Sequence, residues 1–250
     1  MGMEMECRTE GSAQALTRLP LDDWIGYPVE GGSPVRQPAA YRGQWSKPGY
    51  FWMAAVRGHV RYESQLEAWA LLELDFQGTV AQILPQPCRI DFDRTSKPYR
   101  HIPDYLVQHH DGSRELIDVK GATAAAKSGN QKVFRLTGEA CGVLGWRYRL
   151  AHEPDDAYYR NVHWLSTARR WSTAEMGASV EKLAEHVRNG DARTWDDAVV
   201  LVRSWGGSES AAIPIVMSAV WDRSVQADLT VPLRGDTRLS WNPGLVGVSS

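Results

Sequence analysis

The sequence predicts an α/β protein: a mixed central sheet flanked by helices, with a small helical region at the C-terminal end. Three observations carry that expectation. Short runs rich in β-formers alternate with helical patterns from Tyr50 to Ala151. Two of those runs, Asp104 to Gln108 and Glu115 to Lys120, flank the turn His110-Asp111-Gly112-Ser113. The last third then changes to capped helices followed by a hairpin signal.

In chain order, residues 1–45 are rich in Gly, Pro and polar residues without periodicity and read as an irregular arm. YFWMAAV and HVRYE, separated by Arg57-Gly58, predict a β-hairpin. Ser64 opens the helix SQLEAWALLELDF, whose Leu66, Trp69, Ala70, Leu71, Leu72 and Leu74 cover most of its circumference, so it should be buried on several sides. Val80 to Leu84 and Cys88 to Phe92 predict short strands joined through Pro85 and Pro87, which cannot donate to a central ladder. Asp91 to His101 reads as a polar loop. After the two central strands, Lys127-Ser128-Gly129 leads to a helix from about Asn130 to Cys141, and GWRYRLA resumes as a strand.

Further on, Ser172 and Thr173 precede a helix running to Asn189-Gly190, and Thr194 caps another that ends at Gly206-Gly207. A third begins near Pro214. Gln226 to Val231 and Thr237 to Trp241 then bracket Arg234-Gly235-Asp236. Three short helices followed by a hairpin is the winged-helix order. The expected organisation is an arm over 1–45, a core domain over 46–170 and a helical, winged-helix-like region over 171–250.

Composition narrows the function classes. A chain of 250 residues, 43% hydrophobic and 23% charged, can bury a sizeable core. No apolar run of about 18 or more residues occurs and the first residues lack a signal-peptide layout, so the expectation is a cytoplasmic protein with no membrane contact. Cys7, Cys88 and Cys141 form no CxxC pair, which argues for reduced thiols rather than a structural zinc. A net charge of -2 is low for a free-standing nucleic-acid binder, so any grip on phosphate must be local or supplied by partners. Arg135, Arg147, Arg149, Arg160, Arg169 and Arg170 bias one stretch positively.

The chemistry concentrates in RHIPDYLVQHHDGSRELIDVK. Phosphodiester hydrolysis needs charge neutralised on the phosphate, an activated water and a stabilised leaving alkoxide, all of which a carboxylate-held Mg²⁺ can serve. Asp118 and Lys120 are two apart in a strand and share a face, while the carbonyl of Val119 is a further potential ligand. Asp104 reaches that face only if its cross-strand partner is even-numbered. A three-residue Asp111-Gly112-Ser113 loop would pair Asp104 with Lys120, whereas a plain two-residue turn would put the aspartates on opposite faces. Glu67 is the fourth candidate, although Ser64 and Glu67 also have the spacing of a capping box; Glu63 and Glu73 are runners-up. Beside these, His101 is either a phosphate contact or, by preference, a plain loop residue, and Gln131 and Lys132 either face the site across Gly121 or form a solvated helix start. Most tryptophans read as core, with Trp45 and Trp52 as candidates for base stacking.

YESQLEAWALLELDF, ILPQPCRIDF, RHIPDYLVQHHDGSRELIDVK and the GWRYRL strand together resemble the TnsA-like endonuclease subunit of heteromeric transposases, a branch of the PD-(D/E)XK nuclease superfamily, over roughly residues 40–150. The resemblance implies a restriction-endonuclease-like core. It also implies catalytic roles for Glu67, Asp104, Asp118 and Lys120, with Glu67, Asp104, Asp118 and the Val119 carbonyl around Mg²⁺, for which Mn²⁺ is expected to substitute. It further implies cleavage of one strand of double-stranded DNA at transposon ends, beside a DDE-type transposase subunit and an ATPase regulator. A restriction or anti-phage defence nuclease with the same core, and a non-cleaving DNA or protein adaptor, are the competing expectations.

Overall fold

The structure, a computed structural model, describes residues 2–8, 16–25, 32–36, 47–93, 99–171, 174–206 and 209–243. The chain is mixed α/β and divides into two compact units, Met1–Glu153 and Pro154–Ser250.

The first unit contains β1 (Glu4–Cys7), β2 (Thr17–Pro20), β3 (Gly49–Met53), β4 (Gly58–Tyr62), α1 (Gln65–Gln77), β5 (Val80–Pro85), β6 (Cys88–Asp91), β7 (Arg100–His101), β8 (Tyr105–His109), β9 (Arg114–Val119), α2 (Ala122–Ala125), α3 (Ser128–Leu144) and β10 (Arg147–Ala151). Its central sheet has the order β10-β9-β8-β5. β5, β8 and β9 are antiparallel neighbours, and β10 returns parallel to β9 after the α3 crossover.

Strand alternation gives this sheet two apolar faces. Tyr105, Val107, Ile117 and Val119 pack with Ala70, Leu71 and Leu74 of α1 and with Met53 and Val60 of the β3–β4 hairpin. Leu106 and Leu116 point the other way, towards Ala140, Cys141 and Leu144 of α3. α1 is therefore the buried helix that its near-continuous apolar sequence predicts.

Two segments differ from the sequence expectation. Within the N-terminal 45 residues, β1 and β2 are strands, in a second sheet of order β2-β1-β6-β7. Met5 is buried against Ile90 and Leu116, and the buried Glu6 is satisfied by Arg89 (2.5 Å). So short a strand, with charge at two of its four positions, gives little periodic signal. The second difference is at Arg100–His101, expected in a loop. These residues pair with Asp91 and Ile90, while residues 94–98 lie outside the described ones.

All three cysteines meet in this unit. Cys7 lies opposite Cys88 across the β1–β6 ladder, and Cys141 joins the same core cluster. A hydrogen bond with the neighbouring Cys7, then burial, pushes the Cys88 thiol well up, and burial raises that of Cys141 to about 12.

The second unit contains α4 (Asp156–Leu165), α5 (Ala174–Asn189), α6 (Trp195–Arg203), α7 (Ala212–Trp221), β11 (Val225–Ala227) and β12 (Leu239–Trp241). It starts earlier than the expected residue 171 because Val162, Leu165 and Ala168 are buried and α4 packs on α7. Thr194 and Asp197 form the expected N-terminal cap of α6 as a complete capping box; Ser172 and Thr173 lie outside the described residues. α7 is buried over Ile215–Trp221, so that stretch is the core of this unit rather than a contact surface. The expected strand over 226–231 shortens to β11, because Asp228 turns the chain onto Thr230 and the Asn161 amide binds the carbonyls of Leu229 (2.9 Å) and Val231 (2.7 Å). Among the described residues, no helix is long and apolar enough to cross a membrane.

Candidate active site

The turn between β8 and β9 decides which side chains share a face. His109 N–H donates to the Ser113 carbonyl (2.9 Å) and Gly112 N–H to the His109 carbonyl (2.9 Å), so the loop is His110-Asp111-Gly112. Gly112 has φ +80°, a left-handed conformation that glycine adopts without steric cost. The loop has the expected three residues but starts one residue earlier than predicted. Its register runs from Gln108–Arg114 to Tyr105–Ile117, where the ladder ends, so the expected Asp104–Lys120 pair does not form. Asp118, two residues on from Leu116, belongs to the α3 face of the sheet.

At Asp104 the ladder becomes irregular. The Asp104 N–H donates to the Ile117 carbonyl (3.1 Å), while Val119 N–H is accepted by Asp104 Oδ2 (2.7 Å). A side-chain carboxylate thus takes a place that a backbone carbonyl would fill in a regular ladder. On its other side, the Asp104 carbonyl accepts from the Gln86 N–H (2.8 Å). Gln86 is itself at φ +46°, with its side chain donating to Glu63.

Asp118, at the end of β9, is only 2% exposed. Nε2 of His101 lies 2.8 and 2.9 Å from its two oxygens, and the Tyr148 O–H donates to Oδ2 (2.6 Å). His101, expected in a loop, instead lies in strand β7 and touches this carboxylate. Tyr148 was not singled out. The signal was present in strand alternation: Tyr148 pairs with Leu116 in the parallel β9–β10 ladder, and Leu116 shares the face of Asp118.

Glu67 makes the capping contacts that its spacing allows and also faces a cavity. It completes the cap of α1, with Ser64 Oγ accepting its N–H (3.2 Å) and its carboxylate accepting from Ser64 O–H (2.9 Å) and Glu63 N–H (2.7 Å). With Asp104, Tyr105 and Gln86 it also lines a cavity of about 1010 Å³. Tyr105 ties the two together, donating to the Arg61 carbonyl (3.1 Å) and reaching Glu67 at 3.5 Å. Of the runners-up, Glu63 lines the same cavity and pairs with Arg36 (2.8 Å), while Glu73 is raised by burial and does not belong to the lining.

Electrostatics link the carboxylates. Burial, then repulsion from Glu67 and, more weakly, from Asp118, raises the Asp104 carboxyl from its usual 3.8 to about 8, partly offset by the Val119 N–H and the Lys120 charge. Burial also raises Glu67. Lys120 is exposed; the next residue, Gly121, meets Glu153 so closely that an added Cβ would lie 2.5 Å from its carboxylate. Glu153 in turn accepts the Ala122 N–H (2.8 Å), which fixes the turn after Lys120.

The remaining candidates lie apart from the carboxylates. Gln131 and Lys132 are exposed, and the Lys132 ammonium sits 4.9 Å from the centre of the Tyr99 ring. The positive stretch predicted after the motif is largely engaged: Arg135 pairs with Glu139, Arg149 with Glu115 (3.3 Å), and Arg147 donates to Ser113 Oγ (2.9 Å). Trp45 lies outside the described residues.

Among the described residues, no three or more His, Cys, Asp or Glu side chains are disposed around one metal position. The donor chemistry nevertheless fits a hard divalent cation. Asp104 is a buried oxygen donor whose ionisation is opposed by burial and by the neighbouring Glu67, an opposition that a cation's charge would offset.

No protein-family model matches the chain. A search of curated proteins returns no match either.

Proposed function

We propose that the chain is a metal-dependent DNA endonuclease of the PD-(D/E)XK type, with a restriction-endonuclease-like first unit and a winged-helix-like second unit. Its working role in this proposal is to cut one strand at transposon ends in the cytoplasm, with a DDE-type transposase subunit and an ATPase regulator as partners. One observation carries the reading: the Asp104 carboxylate accepts the N–H of Val119, the residue after Asp118, and lies near enough to Glu67 and Asp118 for both to oppose its ionisation.

Asp104, Asp118, Glu67 and the Val119 carbonyl would hold Mg²⁺, or Mn²⁺ in its place. When bound, the cation supplies charge neutralisation on the phosphate and lowers the pKa of a bound water. The remaining roles belong to the chain itself. Tyr148 and His101 hold the Asp118 carboxylate by both oxygens, the Val119 N–H orients Asp104, and exposed Lys120 presents a fixed charge to an incoming phosphate.

A second reading, a DNA or protein adaptor that does not cleave, draws on the same neighbourhood, because both oxygens of Asp118 already have partners. Nicking of supercoiled plasmid with Mg²⁺ separates the two, run with and without partner proteins. The nuclease reading expects nicking that EDTA, Asp118→Ala and Lys120→Ala each abolish. Nicking that persists in both variants overturns this site, and none under any condition favours the adaptor.

A further inference from the structure

The β3–β4 hairpin has one face with no role in the core. Its register pairs Tyr50 with Arg61 and Trp52 with His59, and alternation puts these four side chains on the same side. The intervening Phe51, Met53 and Val60 point the other way and pack against α1. The outer face therefore alternates two aromatic and two basic side chains. Tyr50 is 67% exposed and Trp52 51% exposed, with Trp52 edge-on to His59 at 5.0 Å between ring centres.

This face continues into the site. Tyr50, His59 and Arg61 line the same cavity as Glu67 and Asp104, joined there by Arg8 and Arg36. The Tyr105 O–H on the Arg61 carbonyl anchors the hairpin to the residue next to Asp104. Cations beside exposed rings suit a polyanion that also offers flat apolar surfaces. Unpaired DNA has both, in its phosphates and its bases, whereas a closed duplex hides its base faces in the stack.

We infer that the outer face of the β3–β4 hairpin binds a single-stranded flank of the DNA substrate, with Trp52 and Tyr50 stacking on unpaired bases and Arg61 and His59 taking the phosphates. This rests on the nuclease reading only for what lies at the end of the track, since stacking needs no cleavage. The substrate class becomes duplex DNA with an unpaired flank beside the cut.

Fluorescence anisotropy in EDTA tests it, using the full chain and labelled probes of equal length: single strand, blunt duplex, and duplex with a single-stranded flank. The flanked probe should bind more tightly than the blunt one. Trp52→Ala, at an exposed position, should weaken binding to the flanked and single-stranded probes about tenfold and leave blunt duplex unchanged. Arg61→Gln should weaken the flanked and single-stranded probes and reduce their salt slope by about one. Thermal melting of each variant checks that it is folded. The proposal is overturned if wild type prefers blunt duplex, if no probe binds, or if folded Trp52→Ala binds the flank as tightly as wild type. Asp118→Asn, run alongside, keeps the two claims apart. A chain that binds the flank through Trp52 yet never nicks sinks the nuclease reading alone, and one that nicks with Trp52→Ala indifferent to the flank sinks this one alone.

Discussion

His101 Nε2 lies within 2.9 Å of both carboxylate oxygens of Asp118, a residue only 2% exposed. In the Nε2–H tautomer the ring donates to this carboxylate and fixes its plane. His101→Ala should therefore lower Mg²⁺-dependent nicking by about 10- to 100-fold, the usual range for a residue that orients a ligand. The rise in Mg²⁺ needed for half-maximal rate should account for part of the loss. An unchanged Mg²⁺ dependence with full activity would mean that His101 is only a packing neighbour.

Tyr148 contributes the other hydrogen bond to Asp118, at 2.6 Å. Removing the hydroxyl leaves the buried Oδ2 with only the His101 Nε2 contact that it shares with Oδ1. Tyr148→Phe should cost about 1–3 kcal/mol of stability in urea unfolding. In the Asp118→Asn background the same change should cost measurably less, because the neutral amide makes a weaker demand on the hydroxyl. Equal costs in both backgrounds would deny the coupling.

The double duty of Glu67 can be separated by choice of side chain. Glu67→Gln keeps an acceptor for Glu63 N–H and Ser64 O–H and removes a carboxyl whose charge burial disfavours, so melting should hold or rise slightly. Glu67→Ala loses the cap and should cost about 1 kcal/mol. Both should cut nicking at least tenfold under the nuclease reading. Full nicking by a folded Glu67→Gln would reduce Glu67 to a helix cap.

Asp104 ties stability to pH. Its carboxyl is raised in the folded chain from 3.8 to about 8, so the folded state retains a proton that the unfolded state has already released. The contribution is fully favourable below about pH 4 and is lost as pH rises towards 8. In EDTA the wild type should therefore lose melting temperature relative to Asp104→Asn across that interval. Added Mg²⁺ should restore it in the wild type only. Parallel melting curves for the two proteins at every pH would contradict the assignment.

What the sequence made legible followed from local rules. The helix from Ser64, the β3–β4 hairpin and the two strands around Asp111-Gly112 are each written in the spacing of a few adjacent residues. The three-residue length of that loop was readable too, although it starts one residue earlier than expected and the ladder ends at Tyr105–Ile117, short of Asp104. What could not be read were contacts between distant segments. β1 is four residues with charge at two of them, and its strand character depends on pairing with β6, more than 80 positions later by the Glu6–Arg89 contact. Tyr148 was hidden for the same reason, since its target lies across a crossover helix. The unit boundary was expected at 171, before the helix opened by Ser172 and Thr173, whereas α4 already belongs to the second unit through its packing on α7.

The hydrogen bond from Val119 N–H to Asp104 makes one carboxylate both a structural strut of the sheet end and a member of the site. Truncation at this position cannot report on one role alone. Asp104→Ala unzips the last rung between β8 and β9 and also moves the very residues whose chemistry is being measured. Inactivity of that variant is consequently ambiguous evidence, whereas an isosteric asparagine, which keeps an oxygen for Val119, preserves the frame while changing the charge.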